Sequence, residues 1–332
     1  LEEISALTKG VITVSIVVAL SAIASILFIT EQYSQASPRG EVFVMYAGSL
    51  VKTFENTLGP SFQSETGYTY IGEGKGSVQL ANMIIDQQRR PDIFVSAGTV
   101  PIKRLMDNKP ALAHWLVKFA TAEVVIAYTP NSPFFDDLEK ARKGELLWYE
   151  VLSEDGLKFR RTDPELDPKG YYTIIVAKLA NMHYKDPTIK DRILGADRNP
   201  EQILPEETLK TALQQGQIDA AAAYKHEAVA RGLPYIILPK EINLSDPSFS
   251  NFYKEASYTL GSSVTVYGDI IPFCITIPET SKYLDGAIAF MKFLLSEKGA
   301  SVLERDGLYP ITIEAEGDLE EIPSAIIDIV GD

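Results

Sequence analysis

Beyond residue 40 the chain alternates short apolar runs with longer stretches in which apolar residues recur every three or four positions. The runs "EVFVMYA", "YTYIGEG", "PDIFVSA", "EVVIAYT", "IDAAAAY", "YIILP" and "PFCITIP" have the length and the β-branched or aromatic content of strands. Between them, residues 50–58, 77–88, 100–107, 171–182, 206–215 and 283–305 carry a helical period. Gly216 follows the fifth of these where a left-handed glycine would end a helix. Strands and helices in alternation predict an α/β fold. No internal repeat interrupts the pattern, and the acidic end "EAEGDLEEIPSAIIDIVGD" reads as a terminal appendage.

The first forty residues follow a different rule. From Val11 to Ile29 no charge occurs over 19 residues, enough for a helix to cross a bilayer and also compatible with a long signal peptide. Lys9 is the only basic residue upstream, and the remainder of the chain is expected outside the membrane. Cleavage after Ala36, in "SQA", is the alternative to a retained anchor, and no cysteine follows to carry a lipid. "EQYSQASPRG" then serves as a polar tether to a domain beginning near Glu41.

Composition narrows the partners. A formal charge of −14, from 45 acidic and 31 basic residues, opposes nonspecific binding to nucleic acid or anionic membrane. It leaves room for a small anionic ligand, because a local ring of N–H and O–H dipoles outweighs a diffuse, salt-screened surface charge. The single cysteine, Cys274, excludes an intrachain disulfide and a cysteine-based zinc cluster, and His114, His183 and His226 lack metal-ligand spacing.

Two strand-to-helix junctions carry the candidate chemistry. "YAGSL" leaves an apolar strand through Gly48 and presents Ser49 where a helix begins, and "GEGKGSVQLANMI" places glycines before Ser77 at a second helix start. Each is an ordinary turn taken alone. Together, at the carboxyl ends of neighbouring strands, they would point unpaired N–H groups and two hydroxyls into one crevice, which suits a small oxyanion. "GEGKGS" lacks the spacing of a nucleotide-binding loop. A serine nucleophile would need a base within reach, and no histidine is placed near either serine by any motif.

The segments "YAGSL", "GEGKGSVQLANMI", "RRPDIFVSAG", "RTDPELDPKGYYT", "LKTALQQGQIDAAAAYKHEAVARG" and "AFMKFLLSEKGASVLERDGLYPI" occur in the order seen in the molybdate- and tungstate-binding proteins of ABC importers. The chain most resembles the archaeal branch of that family, over roughly residues 41 to 315. The resemblance implies a two-lobe, periplasmic-binding-protein-like (type II) α/β fold with a hinge, preceded by the N-terminal hydrophobic helix. Residues 41–120 and 265–332 would form one lobe and 121–264 the other, with crossovers near 118–124 and 264–272.

The same resemblance assigns residues. Ser49 and Ser77 would hold the oxyanion from the first lobe. Asp167, Lys169 and Gly170 would lie on or beside it, Leu209 would lend a backbone N–H, and Tyr224 would donate its hydroxyl. A carboxylate beside a dianion is repelled unless its oxygen binds the electron-poor metal centre itself, so Asp167 is a candidate ligand of molybdenum or tungsten; its alternative is to cap the turn before Pro168. Where the family places a second acid the chain has Ala223, and Glu227, one turn beyond Tyr224, is the candidate substitute. Lys169 departs from the small residue or cysteine of relatives. Its ammonium either offsets the anion's charge or points to solvent, the second slightly preferred. Ser96 supports the crevice without touching the ligand.

The function implied is capture of molybdate or tungstate outside the cell by a monomer that hands it to an ABC permease, with no cofactor and no bond made or broken. A receptor for sulfate or phosphate, or a sensory ectodomain on the same fold, is the alternative.

Overall fold

A computed structural model describes residues 39–330. The predicted hydrophobic segment 11–29 lies outside the described residues, and among those described no helix is long and apolar enough to cross a membrane.

Two sheets organise the domain. Strands β1 (Glu41–Ala47), β2 (Thr69–Lys75), β3 (Ile93–Ala97), β4 (Trp115–Ala122), β11 (Ile271–Thr276) and β12 (Tyr309–Gly317) form the first, in the order β12-β4-β11-β3-β1-β2. Strand β1 pairs in parallel with β2 and β3, and β11 runs antiparallel between β3 and β4. The second sheet contains β5 (Val124–Tyr128), β6 (Phe159–Arg160), β7 (Ala220–Tyr224) and β8 (Tyr235–Ile237), in the order β6-β7-β5-β8. A hairpin of β9 (Ser257–Thr259) and β10 (Thr265–Tyr267) stands apart.

Both sheets are covered on two faces, which is why their central strands read as almost unbroken apolar runs. In β1, Val42, Val44 and Tyr46 enter the main core while Met45 packs on the opposite face with Leu80, Ile84 and Phe94. In β7 the period of two is written in alanines. Ala220 and Ala222 join the main core with Tyr224, whereas Ala221 and Ala223 pack with Leu209 and Leu213.

Glu123 is the one residue between β4 and β5, so the chain passes from the first sheet to the second over a single position. The stretch "WLVKFATAEVVIAY" therefore looks continuous in sequence, and β4 goes unrecognised because no turn residue marks its end.

Helix 50–58 is part of a longer helical segment, 48–66, which opens as a tight turn at Gly48–Leu50, widens to a π-turn at Phe54–Leu58 and ends at Gly67, φ 76°. Gly216, φ 70°, lies just past the helix Glu206–Gln214 in the left-handed conformation expected of it. The single helix predicted over 283–305 is two, Leu284–Leu294 and Glu297–Arg305, because the Ser296 hydroxyl accepts from Gly299 N–H and caps a new start. Nor is the acidic end an appendage. Glu314–Gly317 pair with β4, the Trp115 indole donates to Glu321 O at 3.1 Å, and Ile322 and Ile326 are buried in the core.

Candidate functional site

The two serine junctions lie at the ends of adjacent strands, with Ala47 of β1 opposite Lys75 of β2. Each serine follows a glycine pressed against the part of the chain that carries the second sheet. A Cβ at Gly48 would lie 2.7 Å from Glu206 Cγ, and one at Gly76 would lie 2.5 Å from Leu166 O and 3.1 Å from Asp167 Cβ. Only glycine allows these approaches. Lys169 joins the two contact points. Its Nζ donates to Glu206 Oε1 at 3.1 Å, and its backbone N–H donates to Asp167 Oδ1 at 2.8 Å.

The hydroxyls are arranged as donors. Ser77 Oγ accepts the Ala97 N–H at 3.1 Å, which leaves its proton to give away. Ser49 Oγ and the Tyr224 and Tyr171 hydroxyls are buried with no partner among the described residues. Such groups are costly unless something else completes them. Neither serine is hydrogen-bonded to a histidine among the described residues.

Asp167 is the N-cap of the helix Pro168–His183, whose start falls three residues before the predicted 171 because Pro168 is suited to its first position. Lys169, on the same first turn, is 1% exposed, which corrects the preference for solvent. Its three N–H donors are met by Glu206 Oε1 at 3.1 Å and by Glu227 Oε1 and Oε2 at 3.1 and 2.8 Å. A buried ammonium has to be paired, and these carboxylates pair it. Burial pulls its pKa down, but the charges of Glu206, Glu227 and Asp167 reverse this and hold it above the ordinary lysine value.

The carboxyl groups divide accordingly. Burial disfavours ionisation of Glu206 and Glu227, yet the Lys169 and Lys210 ammoniums hold both below the usual carboxylate range. Asp167 is pushed well above it, by burial and then by the Glu206 charge. The Lys169 and Lys210 ammoniums face the Glu206 and Glu227 carboxylates.

Glu227 lies on the first turn of the helix Lys225–Arg231, where its Oε2 also accepts the Tyr224 N–H at 2.9 Å in a reciprocal cap. Both of its oxygens are therefore engaged. Ala223 lines the same small cavity as Lys169, Lys210 and Glu227. The Leu209 N–H cannot reach a ligand. It donates to Pro205 O at 2.8 Å, because Leu209 is the fourth residue of its helix and only the first three amides are left over. Gly170 packs against Thr162 O and Pro164 N, each 2.6 Å from a Cβ there, and so fixes the loop rather than facing the cleft. Ser96 donates to Gly98 O at 2.7 Å within the first lobe.

Glu206 and Lys210 escaped the reading of the sequence. They occupy positions i and i+4 of one helix, spacing that signals a surface ion pair as readily as a buried one. A larger groove, of about 770 Å³, lies where the chain passes between sheets, beside Thr121, Tyr172, Asp269 and Pro272. None of the unpartnered buried hydroxyls lines it.

Residues 42–309 match the family model of the bacterial extracellular solute-binding proteins. A solute-binding protein of Petrotoga mobilis is 32% identical over 298 residues, 88% of this chain and 90% of its own. The molybdate/tungstate-binding protein of Pyrococcus abyssi is 33% identical over 291 residues, 80% of this chain and 83% of its own. Among solved structures, the periplasmic molybdate-binding protein of Azotobacter vinelandii superposes with a TM-score of 0.55 at 17% identity, over 80% of this chain and 98% of that one, a likeness of fold.

Proposed function

Since the chain belongs to the bacterial extracellular solute-binding protein family, we propose that its cleft captures molybdate or tungstate outside the cell and delivers it to an ABC permease. Residues 41–120 and 265–332 serve as one lobe and 121–264 as the other, turning about the passage at Glu123. The apolar segment 11–29 holds the domain at the outer face of the membrane. The observation that carries this reading is the pair of buried, unpartnered hydroxyls of Ser49 and Tyr224, the first on the junction adjacent to that of Ser77 and the second on a ring 5.6 Å from the Lys169 ammonium.

Ser49, Ser77 and Tyr224 donate to the anion's oxygens. Asp167, whose Cβ lies 3.1 Å from where a Cβ at Gly76 would stand, meets the anion beside the Ser77 junction, either as an O–H donor or as a metal-centre ligand. Glu227 acts as counter-ion of Lys169. No bond in the ligand is made or broken, and closing the lobes surrounds what the open cleft holds on one side.

Isothermal titration of the chain with tungstate, molybdate, sulfate and phosphate tests the reading. Tungstate or molybdate is expected to bind at about 1 μM or tighter, with Ser49→Ala weaker by about tenfold or more. Tighter binding of sulfate or phosphate than of either metal oxyanion would overturn it.

A further inference from the structure

Glu206 and Lys210 stand one turn apart on the helix Glu206–Gln214 and grip Gly48 of the opposite lobe. The Glu206 side chain lies against the glycine, its Cγ 2.7 Å from where a Cβ would stand. Lys210 Nζ donates to the Gly48 carbonyl at 2.5 Å. The ammonium is itself held in place, 2.6 Å from Glu206 Oε1 and 3.6 Å from Glu227 Oε1.

This carbonyl is one end of the peptide whose other end is the Ser49 N–H. In a trans peptide the C=O and N–H point to opposite sides, so fixing the carbonyl on Lys210 turns the Ser49 N–H away from Lys210. Ser49 lies in the opening turn Gly48–Leu50, where an N–H has no acceptor within the helix. Its hydroxyl is unpartnered as well. Within the turn the Gly48 carbonyl also accepts the Val51 N–H, so the Lys210 ammonium of the second lobe is a second hold on where a donor of the first lobe aims.

We propose that Lys210 is a positioning residue of the cleft: reaching across from the second lobe, it sets the plane of the Gly48–Ser49 peptide so that the Ser49 N–H donates to the captured anion. This rests on the reading that the cleft captures an oxyanion. Because Lys210 and Gly48 belong to different lobes, the donor is fully oriented only when the lobes are together. Lys210 therefore acts on dissociation. Its charge is cancelled locally by Glu206, so it contributes little to long-range attraction.

Stopped-flow binding of tungstate and of molybdate to the full chain tests this in Lys210→Met and Lys210→Arg. In Lys210→Met the dissociation rate is expected to rise about tenfold or more, at low and high salt alike, with the association rate within about twofold. Lys210→Arg, which keeps a donor for Gly48 O, is expected to recover most of the loss. A change confined to association that fades with salt would mark a role of charge alone and overturn the proposal, as would a dissociation rate unaltered in Lys210→Met. Should Lys210→Met fail to fold, the wild-type complex decides: the Ser49 amide is expected to be protected from hydrogen exchange by tungstate, and exchange as fast as in the free chain overturns the proposal. Failure of the wild type to bind either anion removes the proposed function and this inference together, whereas binding with unchanged dissociation in Lys210→Met removes only the inference.

Discussion

Lys169 is the residue on which the cleft depends most for its stability. Its ammonium separates two buried carboxylates, Glu206 and Glu227, and its removal would leave the Lys210 ammonium to balance both. Lys169→Met is expected to lose about 3–5 kcal/mol in urea unfolding, the usual result of breaking a buried pair from one side. Adding Glu227→Gln to that variant should recover part of the loss, because it removes the stranded charge. Ser49 and Ser77 could be named from sequence because each lies where a strand leaves through glycine into a helix, whereas Asp167 and Tyr224 could be named only through the resemblance to the family. Glu206 and Lys210 had no such signal. Their meaning depends on Gly48, more than 150 positions away, being pressed against them.

At the scale of elements, the cleft is made by two helix starts and one helix N-cap brought to van der Waals distance. Gln79 N–H, one of the leftover donors of the Ser77 helix, reaches Leu166 O of the other lobe at 3.0 Å, over the backbone of Gly76. Gly76→Ala would place a methyl group 2.5 Å from that same carbonyl, and backbone does not yield as a flexible side chain does. The variant is expected to keep its far-UV circular dichroism and to bind tungstate at least about tenfold more weakly, since it obstructs closure without unfolding either lobe. Helix and strand positions were mostly legible because both sheets are buried on two faces and their helices are amphipathic. Elements defined only by long-range pairing were not. Strand β12 joins β4 across nearly 200 positions, and its charged residues alternate as they would in an exposed tail.

For the molecule as a whole, acid is the condition most informative about this buried cluster. His226 is stacked near Tyr224 and Phe273, and burial, ahead of the neighbouring charges, lowers its pKa from 6.5 to about 4. A folded value below the unfolded one means that its contribution is complete above pH 6.5 and is lost as pH falls from 6.5 towards 4. A shift of that size is worth roughly 3 kcal/mol. Glu206 and Glu227, also lowered, add stability that is present above the ordinary carboxylate range and is lost further into acid, while Asp167, raised, favours the folded form at low pH and loses that benefit as pH rises through its folded value. Unfolding free energies measured from pH 7 to pH 4 are therefore expected to fall more steeply in the wild type than in His226→Phe. Equal slopes would show that the histidine is not held neutral.

The sequence alone determined the α/β class, the positions of most buried strands and the two serine junctions, because apolar period, glycine and proline act over a few residues and need no distant partner. Tertiary structure decided which charges became part of the cleft. Lys169, Glu206, Lys210 and Glu227 would each be ordinary solvated residues on an isolated helix. Burying an ion is favourable only when another is brought to meet it, and that meeting depends on how the helices Pro168–His183, Glu206–Gln214 and Lys225–Arg231 pack together.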